Sequence, residues 1–371
     1  MKNSETLFFV GKCLGIRQYP ERIPEIRKIL KSGIISWESF LWESSKHLVL
    51  PALFVQLRES QLLNELPDDL VDHFEHLYQL NCRRNKAILA EAHDIITVLN
   101  TEGIAPVFLK GTAHLLDELY ADQGERMIGD IDFLVAEHEI FPAVKLLERL
   151  EYTCQTPFSQ NELNEAKHYP RLRNEALMAA VEIHRQPVSK PYDRKFNFAM
   201  INKEKKKLKL DGNAYVLSDH HQIIHNMMNV QMNDKAFSSW KIYLRHIYDL
   251  LQLSQRKDPL ETAQQFACYP RHFNAYLVVS TKILDNPASV NYQDNQQARR
   301  YYCWIQFFIN HPKWNSAFRI VQFLVQRLLR YVTLPIKCIY NKGERKALMR
   351  RLGDRSWYKN HLKSYRGIRN L

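Results

Sequence analysis

Helical periodicity runs through most of this chain and breaks off over one stretch, from Gly103 to about residue 200. There, short apolar runs end in tight turns. The interruption constrains the fold more than any other feature, because it places a small sheet inside an otherwise helical protein. Upstream, Ile88, Leu89, Ala92, Ile95, Ile96 and Leu99 recur at helical spacing and form one apolar stripe. Pro67 with Asp68 and Asp69 marks a helix start, proline first and acids in the first turn. Residues 104–109 then read as a strand, Lys110-Gly111-Thr112 as a tight turn, and 114–120 as a helix. A second strand at 131–135 precedes a helix over about 138–150, and two more strands are expected at about 168–173 and 177–184. From Asp219 the helices return, with breaks near Pro259, Pro270, Pro287, Pro312 and Pro335. Only 11 of 371 residues are glycine, which argues against a turn-rich all-β sandwich or barrel. The expected class is α+β, a small mixed sheet with helices at 101–200, flanked by helical regions at 1–100 and 201–298 and a basic helical region at 299–371.

The net charge of +12 is not spread evenly. Residues 299–371 hold 17 Lys and Arg against two acids, Glu344 and Asp354, whereas residues 1–298 carry 35 basic and 38 acidic residues. RNA or an anionic membrane surface is therefore the partner expected for the last fifth of the chain, not for its body. Within it, Val321, Leu324, Val325, Leu328 and Val332 fall at helical spacing, widened by Phe318, Ile320 and Phe323. Arg319, Gln322, Gln326 and Arg330 line the other side. A stripe this broad is expected to face a core; the alternatives are a membrane-surface helix and a nucleic-acid face. Further on, Arg345 through Arg369 supply basic residues interleaved with Trp357, Tyr358 and Tyr365, which suit base stacking; a solvated, partly disordered tail is an equally good reading. The six cysteines lie at least 35 residues apart, with no CxxC pair, which removes zinc-ribbon and thioredoxin-like readings. Residues 7–10 are too short an apolar run for a signal peptide, and no run reaches the ~18–20 residues that cross a bilayer. The expected location is cytoplasmic, with peripheral membrane contact left open.

Chemistry concentrates at Asp130-Ile131-Asp132-Phe133. Side chains alternate along a strand, so the two carboxylates share a face while Ile131 and Phe133 enter a core. Such a pair suits Mg²⁺, with Mn²⁺ as a substitute, although Asp-x-Asp alone also arises in strand edges and turns. Gly111-Thr112, between strand and helix, suits the approach of a phosphate; a simple helix cap at Thr112 is the plainer reading. Lys110 and Arg126 bracket the site with positive charge fit for a triphosphate. Val181-Glu182-Ile183-His184 repeats the alternation, offering Glu182 as a third carboxylate and His184 as a supporting group. Elsewhere, His221 and His225, at an i,i+4 spacing that can hold a metal but without an accompanying Glu, read as surface histidines of a helix start, and Arg245 and Asp249 as an i,i+4 ion pair on a helix that could lend polar groups to the nucleotide. No P-loop, Gly-x-Gly-x-x-Gly or Gly-x-Ser-x-Gly pattern occurs.

Taken in order, Val107-Phe-Leu-Lys-Gly-Thr112, Leu119-Tyr120, Arg126, Gly129-Asp-Ile-Asp-Phe-Leu-Val135 and Val181-Glu-Ile-His-Arg185 resemble the uncharacterised nucleotidyltransferase family of the DNA polymerase β-like superfamily. The segment from His47 to Leu57 resembles that family's helical N-terminal region, and the likeness covers roughly residues 35–255. Two departures stand out: Gly-Thr replaces the usual Gly-Ser, and Glu182 stands where Asp is commoner. The 19 residues from Gly111 to Asp130 imply a long connecting helix. The resemblance implies Mg²⁺-dependent transfer of a nucleoside monophosphate from an NTP, ATP first, to an unidentified acceptor hydroxyl. It assigns Asp130, Asp132 and Glu182 to metal and catalysis, and Lys110, Gly111, Thr112 and Arg126 to the nucleotide. The rival expectation is an inactive binding or scaffold protein of the same fold, using its basic C-terminus on RNA or a membrane. Three clustered carboxylates are also expected to repel one another without metal, so that removing one raises stability.

Overall fold

In a computed structural model of the protein, which describes residues 3–154, 158–164, 166–340, 345, 348 and 349, a five-stranded mixed sheet is embedded in helices. The strands are β1 (Val107–Phe108), β2 (Asp130–Leu134), β3 (Ala180–His184), β4 (Lys206–Lys207) and β5 (Tyr215–Val216), in the spatial order β3-β2-β1-β5-β4. β2 pairs parallel with β3 and antiparallel with β1, while β5 runs parallel to β1. The fold class is the α+β one that the sequence predicts.

Several elements differ in extent from their expected bounds. The segment at 168–173 makes only isolated bridges, His168 with His184 and Leu172 with Val181. Pro170 sits between them and has no N–H to extend a ladder. Pro335 does not end a helix; Pro312–Tyr340 runs through it, since losing one backbone bond at an exposed position does not stop a long helix. Pro67 precedes the helix Asp68–Asn100, and the acids form its first turn. That helix buries Ile88, Ala92, Ile95, Ile96 and Leu99, most of the stripe read from the sequence.

The link from Gly111 to Asp130 is not a long helix. The helix Lys110–Leu116 is 7 residues long, and the chain then runs irregularly to Gly129. Polar side chains of the helix Asp68–Asn100 hold this loop in place. Asn81 Nδ2 donates to the Gly124 carbonyl at 2.8 Å, Asn85 Nδ2 to the Arg126 carbonyl at 2.8 Å, and Arg84 Nε to the Ile128 carbonyl at 3.0 Å. A buried loop needs its backbone groups bonded, and side-chain amides supply what a helix would have supplied internally.

A second lock is ionic. Asp249, on the helix Leu244–Leu253, accepts from Arg126 Nε at 2.6 Å and Nη2 at 2.8 Å and from the Tyr120 hydroxyl. Glu125 is bonded by the Tyr248 hydroxyl and by Arg17 Nη2, the latter at 2.7 Å. The loop is thus clamped between the N-terminal helices and the helix Leu244–Leu253. No helix among the described residues is long and apolar enough to cross a membrane.

Candidate active site

Because β2 and β3 run in parallel register, Asp132 lies beside Glu182 and Leu134 beside His184. The period of two then puts Asp130, Asp132, Glu182 and His184 on one face of the sheet, while Ile131, Phe133, Val181 and Ile183 fill the core behind it. Asp132 and His184 are buried at the inner end. The sequence-read alternation holds here.

Cations interleave these acids. Lys110 Nζ donates to Asp132 Oδ1 at 2.5 Å and lies 4.0 Å from Glu182. Arg171 Nη2, which the sequence reading did not single out, bridges Asp130 Oδ2 at 3.1 Å and Glu182 Oε1 at 2.9 Å. His184 Nε2 lies 2.8 Å from Asp132 Oδ1 and 3.5 Å from Glu182 Oε2. Burial pushes the Asp132 carboxyl up, but Lys110 and the His184 contact outweigh it and hold Asp132 well below the usual range. The His184 contact, working against burial, brings Glu182 down to about 2. Asp130 moves the other way: burial raises it, Arg171 opposes, and the charges of Asp132 and Glu182 add to the rise. The three carboxylates do not simply repel; without metal they are partnered.

The donor set fits a divalent cation. Asp132, Glu182 and His184 each offer one atom within 4.8 Å of the others. Asp130 shares Arg171 with Glu182. Carboxylate oxygens suit Mg²⁺, and the imidazole nitrogen extends the set to Mn²⁺. Lys110 and Arg171 would have to turn aside, which long flexible side chains do readily.

Beside the acids opens a cleft of about 570 Å³, a volume suited to a nucleotide-sized ligand. Lys167 and Arg245 line it, and among the described residues neither side chain has an ion pair or a hydrogen bond. Burial, reinforced by Lys110, lowers the Lys167 amine to about 8, and burial with Arg126 lowers Arg245 to about 10. Two half-buried cations held in no ion pair, with Asp234 and the acids acting on them only at longer range, are costly for the empty fold. The helix Asp219–Met228 widens into a π-turn at Asn229–Asn233, which brings Asn229, Asn233 and Asp234 to the wall, where the Asp234 charge acts on both cations.

The other sequence-read positions are accounted for as follows. Lys110 adopts φ +53, a left-handed backbone unusual for a long side chain, at the turn out of β1. Gly111 lines the cleft, and a Cβ there would lie 2.4 Å from Ile128 Cγ2, so packing alone requires glycine. Thr112 is not the helix N-cap, which is Leu109. Its buried hydroxyl donates to the Asp130 carbonyl at 3.0 Å and ties the turn to the start of β2. Arg126 reaches the cleft wall with its guanidinium bidentate on Asp249. Asp249 therefore pairs with Arg126 and not with Arg245 one turn away. His221 and His225 are buried, not on the surface, and His225 Nε2 meets the Pro187 carbonyl at 3.1 Å. Lys167 and the residues around Asp234 lie in bends and turns, where no periodicity points to them. Arg245 was visible as half of the expected ion pair, on a helix able to lend polar groups to the nucleotide.

No curated protein and no solved structure matches this chain. One family model does, that of an uncharacterised nucleotidyltransferase, over residues 34–267. The match takes in all five strands, the acids, and both Lys167 and Arg245. With more than half of its length matched and this sheet and acidic face at the centre of the match, the chain belongs to the uncharacterised nucleotidyltransferase family.

Proposed function

We propose that the protein transfers a nucleoside monophosphate from a nucleoside triphosphate, ATP in the first instance, to an acceptor hydroxyl. The acceptor oxygen attacks the α-phosphorus, a new O–P bond forms, the bond to the β-phosphate oxygen breaks, and pyrophosphate leaves. The observation that supports this most is the pairing of an acidic sheet face with a cleft lined by two cations, Lys167 and Arg245, that form no ion pair among the described residues. A polyphosphate supplies the direct partner they lack, and its α-phosphate end meets the acids.

Lys167 and Arg245 bind the phosphates by charge-assisted hydrogen bonds. Lys110, released from Asp132, turns toward them. Gly111 lets the phosphates approach the turn, Thr112 fixes that turn against Asp130, and Arg126 holds the cleft wall through Asp249. Asp130, Asp132 and Glu182 would hold Mg²⁺ or Mn²⁺, which screens the phosphate charge and lowers the pKa of a bound hydroxyl. Glu182 also stands to take the proton of the acceptor hydroxyl, and His184 orients Asp132 from behind.

Calorimetry of ATP, GTP, CTP and UTP with Mg²⁺ tests the reading, comparing the wild type with Lys167→Met and Arg245→Met. Binding by the wild type that weakens in both variants supports it. No heat from any triphosphate would remove it.

A further inference from the structure

The helix Pro312–Tyr340 turns its apolar side outward. Val321, Leu324, Val325, Leu328, Val332 and Ile336 are each between 47% and 63% exposed. At 3.6 residues per turn they share an arc of about 120° and span ~22 Å along the axis. No charged residue between 314 and 339 falls on that arc. The polar side is the one that meets the protein: Gln322 Nε2 donates to the Ser238 carbonyl at 2.8 Å, and Lys235 Nζ donates to Gln326 Oε1 at 3.2 Å. The expectation that this stripe faces a core is thereby overturned for Val321, Leu324, Val325, Leu328 and Val332, while Phe318, which widens it, packs on Phe308. A helix that gives its polar side to the protein and its aliphatic side to water exposes a patch that something else covers.

Charge decides what covers it. Residues 299–340 contain seven Lys and Arg and no acid. A second copy of the chain would set cations against cations with no carboxylate between them. RNA would be met by an aliphatic strip that carries no charge and one exposed ring, Trp314, at its start, since Arg319 and Arg327 lie off the outward arc. A bilayer containing anionic lipid satisfies both features: acyl chains take the aliphatic arc, and headgroups take the cations at its flanks. We propose that Pro312–Tyr340 is an in-plane anchor that seats the protein on an anionic membrane surface. The other ten Lys and Arg of 299–371 fall in residues 341–371, of which only 345, 348 and 349 are among the described residues.

The test is co-sedimentation of the full chain with vesicles of phosphatidylcholine alone and of phosphatidylcholine with ~30% phosphatidylglycerol. The wild type should bind the anionic vesicles at least about tenfold more tightly than the neutral ones, and less tightly as salt rises. Leu324→Glu with Leu328→Glu should lower that binding at least about tenfold at an unchanged melting temperature, because both side chains face outward. Leu324→Ser with Leu328→Ser gives the same direction with a smaller loss, and substitutes if the first pair fails to fold. Four results would overturn the proposal: no vesicle binding by the wild type, equal binding by the folded variants, a wild-type dimer that the variants dissolve, or RNA binding that the variants abolish.

Discussion

Replacing Lys167 with methionine separates binding from stability. The two side chains are alike in length and shape, so the substitution removes a charge and little else. In the empty protein burial and Lys110 bring the amine from 10.5 down to about 8. At ~1.36 kcal/mol per unit, holding the charge costs the fold on the order of 3 kcal/mol, which water in the open cleft reduces to ~1–2 kcal/mol. Lys167→Met should therefore be more stable than the wild type at pH 7. The pH dependence has a fixed sign. The folded pKa lies below the unfolded one, so between about pH 8 and 10.5 the unfolded chain binds the extra proton. Wild-type stability then rises relative to the variant, and the variant's advantage is complete below pH 8 and gone above about 10.5. Affinity for ATP should fall ~10–100-fold in the variant, the value of one charge-assisted hydrogen bond. Urea unfolding of both proteins at pH 7 and pH 10, with ATP titrations beside it, measures every quantity. A variant that is less stable at pH 7, or that binds ATP like the wild type, would refute the assignment of Lys167.

Asp132→Asn should lower nucleotidyl transfer ~10²–10³-fold, and it should also lower the melting temperature of the metal-free protein, because Lys110 and His184 lose their shared partner. Glu182→Gln should retain ATP affinity while slowing transfer, as measured with labelled triphosphate and a pool of candidate acceptors. Arg126→Met should destabilise by ~3–5 kcal/mol in urea unfolding by leaving Asp249 charged and buried; no loss would show that the clamp is dispensable. Gly111→Ala should cost ~1–3 kcal/mol as Ile128 is pushed from its contact, and a melting curve that does not move would show that the cleft wall yields freely.

What could be read from the sequence followed from local rules. The alternation at 130–133 and 181–184 placed the acids and His184 on one face, and the spacing from Ile88 to Leu99 gave a buried helix. The loop 117–129 could not be read this way, because its backbone is bonded by Asn81, Arg84 and Asn85 from a helix some 40 residues earlier. Arg126 has the residue type of a phosphate ligand, and only the packing of the helix Leu244–Leu253 shows that Asp249 takes its charge. Lys167 and Arg245 stand out through what they lack among the described residues, a direct ion pair, and the absence of a partner leaves no pattern in a sequence. The stripe at 321–336 has the periodicity of a core helix, and periodicity does not say which side of a helix faces the body.

Arg17 lies 17 residues ahead of the family match, which begins at residue 34. Its guanidinium is nevertheless the positive partner of the buried Glu125 carboxylate, at 2.7 Å. A chain trimmed to residues 34–267 would keep every strand and every acid of the site, yet leave Glu125 with the Tyr248 hydroxyl alone. Burial already raises the Glu125 carboxyl, and Arg17 is the chief force opposing that rise. Cut free of Arg17, the Glu125 carboxyl would be pushed higher still, and the loop that carries Arg126 to the cleft would loosen with it. The piece of this protein that keeps the Glu125 ion pair is therefore longer than the matched stretch, because the turn after the helix Asn3–Leu14, which carries Arg17, belongs to it.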